Sequence, residues 1–358
     1  MGTWASACVH LRVLCCSSER GVEVSIGADP NRGIAVIIAA YNAAGTIGRA
    51  VRSALAEPEV AEVIVIDDCS SDKTVEAARL ADDQSGRLRI LTQDRNGGPA
   101  AARNRGFAEA SSPFVAVLDS DDFLLPGRFS RLLDLSEAWD IAADNIMFVL
   151  QGGEAGLPLT SASAGAERAL TLADFVEANI SRFGRQRAEL GFLKPVFRRS
   201  FLQQHGLLYD SSLRLGEDFA LYLRALISGA RFRITSGCGY VAVERPDSLS
   251  GQHRTEDLAA LRDSDNDLLA GMDRGSPAYA SVRRHRDHIA RRYLYRAFLD
   301  ERRRVGIARA FRSYLGRPGE VLSILHSNAL DRAASWLRRV RRQRRAGQAL
   351  RTRYLMET

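Results

Sequence analysis

Three short stretches of this chain place polar groups where chemistry could use them. Asp119-Ser120-Asp121 follows directly on the apolar run Phe114–Leu118, with two carboxylates at i and i+2. Oxygen-only ligands in a partly open turn suit Mg²⁺ or Mn²⁺, ions that keep waters and share a diphosphate. Asp67-Asp68 ends a second β-rich run and could accept N–H or O–H bonds from a base or a ribose. Asn96-Gly97-Gly98-Pro99 lets a backbone come close to an anion at a helix N-terminus. Each stretch alone also fits a solvated turn, since Asp, Asn and Gly are common in turns. What argues for chemistry is their convergence on one edge of the fold.

That convergence follows from the elements around them. Runs Ile34–Ala39, Glu62–Asp67, Leu88–Leu91, Phe114–Leu118 and Asp140–Gln151 read as strands. Helical stretches Thr46–Ala56, Asp72–Asp82 and Pro99–Ala110 alternate with them, and Pro126 opens another. Such alternation predicts an α/β fold with a mostly parallel sheet. In an open α/β sheet, ligands bind outside the carboxyl ends of the strands. Those ends carry Tyr41 and Asn42, then Asp67 to Asp72, then Asn96 to Pro99 leading into Arg103 and Asn104, then Asp119 to Asp122.

A Gly-, Ser-, Ala- and Pro-rich linker, Gln151–Arg168, precedes a mixed region. Its expected helices are Leu172–Asn179, Arg199–His205 and Glu217–Ser228, and its expected strands are Arg231–Thr235 and Tyr240–Glu244. From Asp257 onward the sequence reads as Arg-rich helix with no strand of weight.

Composition bounds the answer. The chain has 358 residues, 46% of them hydrophobic and 26% charged, which excludes a wholly disordered protein. No apolar stretch approaches the roughly 20 residues of a spanning helix. The net charge of +7 conceals an asymmetry: Ser281–Thr358 holds 21 Arg against 6 acidic residues, a net of +15 that leaves −8 for the rest. Such a cationic region suits an anionic membrane surface or an acidic partner. A nucleic-acid partner is not expected, because the region matches no known nucleic-acid module and the body is acidic. Five cysteines without C-x-x-C pairing fit a reduced, cytoplasmic chain. Residues 1–30 read as an irregular extension, the run Ala7–Cys16 being broken by His10 and Arg12.

No G-x-G-x-x-G and no Walker loop occurs, which disfavours a nicotinamide dehydrogenase and a P-loop kinase. The polar stretches instead resemble the family 2 glycosyltransferases of the GT-A fold. The matching text is Ile37 to Asn42, Val65 to Thr74, Asn96 to Pro99 through Ala102-Arg103-Asn104-Arg105-Gly106, and Leu118 to Asp122. Gly216-Glu217-Asp218 continues the match at a helix start. Segments Gly191 to Pro195, Arg199 to Gly206 and Arg245 to Ser250 are similar to bacterial exopolysaccharide enzymes of the succinoglycan type.

The resemblance implies an inverting, non-processive transfer from a nucleotide-sugar, expected to be a UDP-sugar, to a saccharide or lipid-linked saccharide. By the same resemblance Tyr41 packs on the base, Asp68 bonds its edge with Asp67 nearby, and Arg103 lies near the nucleotide. Asp119, Ser120 and Asp121 hold the ribose and a divalent metal, Mg²⁺ or Mn²⁺, with Asp119 and Asp121 as its ligands. Asp218 is the general base, with Glu217 beside it. Lys194, Arg245, Ser248 and Ser250 fall in the acceptor or diphosphate region. A His usually stands close to the serines in this family; here the nearest is His253. The implied layout is a GT-A domain over 31–255, with a nucleotide-binding half at 31–150 and an acceptor half at 160–255. A basic helical region, 256–358, follows, expected to sit peripherally on the inner face of the cell membrane.

Two competing functions remain. A sugar nucleotidyltransferase would carry a Gly-rich, Arg- and Lys-containing loop after the first strand, where this chain has Tyr41-Asn42-Ala43-Ala44-Gly45. An inactive scaffold that binds partners through its basic region would have no need of Asp119, Asp121 and Asp218.

Overall fold

Ile34-Ala35-Val36-Ile37-Ile38-Ala39-Ala40 has no polar side chain to offer solvent, and as strand β1 (Ile34–Ala40) it is buried at all positions but Ala39. Continuous apolar runs of this kind belong to parallel strands covered on both faces. The computed structural model describes residues 32–153, 165–181, 189–244, 254–344 and 352–356. The expected N-terminal extension, most of the linker, and Arg245, Ser248, Ser250 and His253 lie outside the described residues.

Strand β1 pairs in parallel with β2 (Val60–Asp67), which pairs in parallel with β3 (Leu88–Thr92). On its other side it pairs in parallel with β4 (Phe114–Val117). The remaining strands are β5 (Phe123–Leu124), β6 (Ile141–Leu150), β7 (Glu167–Ala169), β8 (Val196–Arg198), β9 (Phe232–Glu244) and β10 (Thr352–Tyr354). The sheet runs β3-β2-β1-β4-β8-β6-β9-β5, with β7 on β9 and β10 on β6. Parallel pairing covers its longest ladders, β1 on β2 and β6 on β9.

Helices α1 (Ile47–Leu55), α2 (Thr74–Arg79) and α3 (Gly98–Glu109) connect the first four strands. Helix α1 buries Ile47, Ala50, Val51, Ala54 and Leu55, the i, i+3, i+4, i+7, i+8 stripe of a helix laid on a sheet. Helix α3 lies so close to β1 that a Cβ on Gly106 would stand 2.2 Å from Ile37 Cγ2. Only glycine permits that approach, and it fixes the height of Arg103 one turn earlier. Then come α4 (Arg128–Leu133), α5 (Leu172–Asn179), α6 (Arg199–Gln204) and α7 (Glu217–Ile227). The chain continues as α8 (Thr255–Ala270), α9 (Pro277–Val305), α10 (Ile307–Arg312) and α11 (Pro318–Arg344).

Two departures from expectation have local causes. The strands expected at Arg231–Thr235 and Tyr240–Glu244 are one strand, β9, whose register against β6 shifts around Asn145. The Ser236-Gly237-Cys238-Gly239 segment that reads as a break is absorbed as a bulge. The Arg-rich region also ends in a strand: β10 pairs antiparallel with β6 over Met147–Val149. Met356 N–H donates to Asn145 Oδ1 at 2.8 Å, and Asn145 Nδ2 donates back to the Met356 carbonyl at 2.9 Å.

Helices α8 and α9 pack on the sheet domain. Leu258, Leu261 and Ile289 form one buried cluster with Leu213 and Ala220, and Arg284 on α9 pairs with Glu177 on α5 at 2.9 Å. Phe298, Ala310, Tyr314 and Ile324 make a second cluster between α9, α10 and α11. Among the described residues no helix is long and apolar enough to cross a membrane.

Candidate active site

The loops after β1 and β2 are stitched together by short polar side chains. Asn42, at φ 50°, accepts at Oδ1 from the Ser71 N–H at 2.9 Å, while its own N–H donates to Ser70 Oγ at 2.9 Å. The Ala43 N–H donates to Thr74 Oγ1 at 2.7 Å, and the Ala44 N–H to Asp72 Oδ2 at 3.1 Å. Tyr41 stands at the mouth of this edge with 53% of its surface exposed.

Asp68 faces the start of α3. Its Oδ1 and Oδ2 accept from the Gly97 and Gly98 N–H groups at 2.8 Å each, and Gln93 Nε2 adds a third bond at 2.5 Å. These are the orphan donors of a helix N-terminus, and the carboxylate sits where the helix dipole favours it. The anion at the Asn96–Pro99 turn is thus the chain's own Asp68. Asp67 is buried next to it. Its Oδ2 accepts from Ser70 N–H at 3.4 Å, and its Oδ1 has no hydrogen-bond partner.

Behind this edge lies a closed ring of alternating charge. Arg103, on α3, donates from Nη2 to Asp119 Oδ1 at 2.7 Å. Lys194 Nζ stands 2.9 Å from Asp119 Oδ2 and 2.8 Å from Asp218 Oδ2. Arg103 Nη1 closes the ring 3.6 Å from Asp218 Oδ1 and also donates to Glu217 Oε1 at 3.2 Å. Two cations therefore meet three carboxylates.

Each member is held from behind. The Tyr222 hydroxyl donates to the Leu193 carbonyl at 2.7 Å, and Arg128, itself buried on Asp144, donates to the carbonyl of Lys194. Asn104 clamps the backbone of Tyr209 through two 2.8 Å bonds, one to its carbonyl and one from its N–H. The Tyr209 ring lies 5.2 Å from the Arg103 guanidinium carbon, and its hydroxyl interacts with Asp218.

Burial works against the charges of Arg103, Lys194 and Asp119, and their partners outweigh it. Asp218 and Asp119 hold the Arg103 pKa well above its usual value, and Asp119 and Asp218 do the same for Lys194. Lys194 and Arg103 hold Asp119 far below the usual carboxylate range. Burial and the neighbouring Asp218 push Glu217 up. Asp218 Oδ1 is buried and lacks a hydrogen-bond partner. One oxygen is thus pinned to an ammonium and the other keeps unused accepting capacity for a hydroxyl.

Asp122 is spent on structure. Its Oδ2 accepts from the Tyr240 hydroxyl at 2.7 Å and its Oδ1 from the Val243 N–H at 2.9 Å. The same hydroxyl accepts from the Asp119 N–H at 3.1 Å, so β9 fixes both ends of the acidic turn. Ser120 and Asp121 are half-buried in that turn, and the Asp121 carbonyl accepts from Arg49 Nη2 at 3.1 Å.

Among the described residues, no three His, Cys, Asp or Glu side chains are arranged to hold a metal by themselves. Both Asp119 oxygens face cations and both Asp122 oxygens are bonded; Asp121 is the third carboxylate of the turn. All donors here are oxygens, and the ring keeps an excess of negative charge. That set fits a hard cation which takes one or two carboxylates and completes its coordination with phosphate and water.

The structure thus brings Arg103, Asp119, Lys194, Glu217 and Asp218 into direct contact, with Asp67, Asp68, Ser120, Asp121 and Tyr41 on the same strand ends. Tyr209 and Tyr240 had no sequence signal, because what recruits each is a partner about a hundred residues away, and only the folded sheet supplies it.

A family model for glycosyl transferase family 2 matches residues 35–189. The chain is 50% identical over 304 residues to the succinoglycan biosynthesis protein ExoU of Rhizobium meliloti (strain 1021), covering 84% of this chain and 87% of that protein. The chain belongs to glycosyl transferase family 2. Its similarity to the succinoglycan biosynthesis protein ExoO of the same organism is 38% over 239 residues, 66% of this chain and 68% of ExoO. Among solved structures, S. aureus TarS 1–349 in complex with UDP-GlcNAc superposes with a TM-score of 0.53 at 20% identity, covering 74% of this chain and 72% of TarS. That likeness shows the fold, and the expected GT-A architecture holds. As a family 2 glycosyltransferase, the chain is classed with sugar-transferring enzymes, and the nucleotidyltransferase reading falls away.

Proposed function

We propose that this glycosyltransferase moves one sugar, with inversion, from a UDP-sugar to a saccharide acceptor carried on a lipid, in the assembly of a succinoglycan-like exopolysaccharide. The observation that carries the reading is the ring that joins Asp119, on the strand-end edge, to Asp218 at the head of α7 through Lys194. A direct displacement needs a base on one face of the anomeric carbon and charge neutralisation of the leaving diphosphate on the other. The unpartnered Oδ1 of Asp218 takes the proton of the acceptor hydroxyl. Lys194 and Arg103 hold that carboxylate still while its charge changes.

Tyr41 offers an exposed ring to the base. With both Asp68 oxygens bonded to Gly97 and Gly98, the unpartnered Oδ1 of neighbouring Asp67 offers the base edge an acceptor. Asp119 stands ready for the ribose, and Asp121 would hold Mg²⁺ or Mn²⁺. When bound, the cation neutralises the diphosphate. Arg245, Ser248 and Ser250 belong to the diphosphate or acceptor side in this reading.

The basic helices supply the membrane contact. Ile307, Leu315, Leu322 and Leu325 are largely exposed on α10, the turn after it and α11, among exposed Arg302, Arg303, Arg304, Arg309 and Arg312. Apolar anchors set among cations are the makings of an interfacial surface, which would keep the enzyme at the inner leaflet beside a lipid-linked acceptor.

A donor screen tests the core of the proposal. Nucleotide release is measured across UDP-, GDP- and dTDP-sugars with Mg²⁺, Mn²⁺ or EDTA, and the anomeric configuration of the product is read by NMR. Release from a UDP-sugar only with metal, giving an inverted linkage, is expected. Retention at the anomeric carbon, or full activity in EDTA, defeats it.

A further inference from the structure

Glu217 and Asp218 lie between two residues that the C-terminal helices grip. Before them stands Gly216, at φ +77°, where a Cβ would come within 3.1 Å of Leu261 Cδ2 on α8. After them stands Phe219, whose ring is stacked on His285 of α9, with centroids 4.0 Å apart and planes at 25°. Phe219 also stacks on Phe175 of α5 at 5.0 Å, and a Cβ on Gly191, in the turn that leads to Lys194, would lie 3.1 Å from its Cβ.

His285 is fixed in turn. Its Nδ1 and Asp265 Oδ2 on α8 are hydrogen-bonded at 2.7 Å, with both residues almost wholly buried. Two polar side chains withdrawn from water are a costly way to fill space that a leucine and a phenylalanine could fill. What the pair adds is direction. The carboxylate sets the rotation of the imidazole, and the imidazole presents its face to Phe219 instead of its edge.

We propose that His285, oriented by Asp265, is a positioning residue for Asp218. The α8–α9 pair acts as a backstop to the first turn of α7. Leu261 holds the entry to that turn at Gly216, and His285 holds its exit at Phe219. Between these two contacts the carboxylate of Asp218 is kept within 2.8 Å of Lys194, with Oδ1 left without a hydrogen-bond partner. A displacement of about 1 Å at a reacting group costs about a hundredfold in rate, so a plate one residue from the base acts on turnover more than on donor binding. The inference rests on the assignment of Asp218 as base.

The test uses the full chain, UDP with Mg²⁺ as the binding probe, and the donor found by the screen. His285→Gln keeps a hydrogen bond for Asp265 but removes the stacking face. It is expected to lower kcat about tenfold or more, with UDP affinity by calorimetry and the donor KM within about twofold of wild type. The double variant His285→Phe with Asp265→Leu restores an aromatic plate without a buried carboxylate, and it should recover most of the lost kcat. An unchanged kcat in His285→Gln overturns the proposal. So does a kcat loss matched by an equal loss of UDP affinity, or a double variant that melts like wild type yet stays slow. Asp218→Asn is measured alongside. If it still turns over, the base assignment has failed and this inference with it. If it is dead while His285→Gln is fully active, only the positioning role is lost.

Discussion

Lys194 Nζ lies 2.8 Å from Asp218 Oδ2, a buried ammonium held against the carboxylate proposed as the base. The same ammonium holds Asp119 at 2.9 Å, so one side chain ties the acidic turn after β4 to the head of α7. Removing one partner of a buried ion pair leaves an uncompensated charge, at a cost of about 3–5 kcal/mol. Lys194→Met should lose stability of that order in urea denaturation. A loss below about 1 kcal/mol would show that the ring is not a structural support.

Asp218→Asn keeps the shape of the carboxylate but cannot take a proton. Turnover should fall by about 10²–10⁴-fold, while donor affinity by calorimetry stays near wild type. If affinity drops in proportion to rate, Asp218 belongs to the nucleotide site instead.

Asp121→Ala should abolish the part of UDP affinity that depends on Mg²⁺ or Mn²⁺. Diphosphate next to several carboxylates is repelled unless a cation stands between them. Calorimetry with and without EDTA measures this; tight UDP binding by the variant in EDTA contradicts it.

Burial, then the nearby Asp119 and Asp121, push the Asp122 pKa well above its ordinary value of 3.8. A carboxyl raised on folding contributes stability that is complete below its unfolded value and is lost as pH rises through its folded value. Wild type should therefore lose stability through Asp122 as pH climbs from about 4 upward into the neutral range, and Asp122→Asn should lose less. Urea midpoints of both proteins across that range check the sign. A wild-type-minus-variant stability difference that stays flat, or grows with rising pH, is the contrary result.

Vesicle sedimentation tests the membrane surface. Each arginine close to an anionic leaflet adds roughly 1 kcal/mol, and the Debye length shrinks from about 10 Å at 0.1 M salt to about 3 Å at 1 M. Binding to anionic vesicles should be strong at low salt, weak at high salt, and reduced by the double change Leu322→Ser with Leu325→Ser. Equal binding to neutral vesicles, or none to either, removes the membrane from the proposal.

What the sequence made legible was local. The strands up to β4 show as apolar runs, and Asp67, Asp68, Asp119 and Asp121 stand within two or three residues of where those runs stop. Glu217 and Asp218 announce themselves at a helix start. The ring was not legible, because Arg103, Lys194 and Asp218 have no fixed spacing and meet only when α3, β8 and α7 converge on β4. Lys194 sits two residues before a three-residue strand, where neither period nor propensity carries a signal. For the same reason β9 reads as two pieces: its bulge sequence is rich in glycine, and only the partner strand β6 shows that pairing resumes beyond it.

The pairing of β10 with β6 has a practical consequence for anyone handling the protein. The helices between Thr255 and Arg344 are a handle fastened to the sheet at both ends, and the far fastening is only Thr352–Tyr354 with Leu355 and Met356 behind it. Cutting the chain ahead of those residues would strip the cover from Met147–Val149, an apolar strand edge of the sort that recruits other chains into aggregates. An affinity tag fused there would crowd the same seam. Expression work should put tags at the amino end, and a truncation made to remove the basic helices should carry a charged replacement on β6 to keep the exposed edge from sticking.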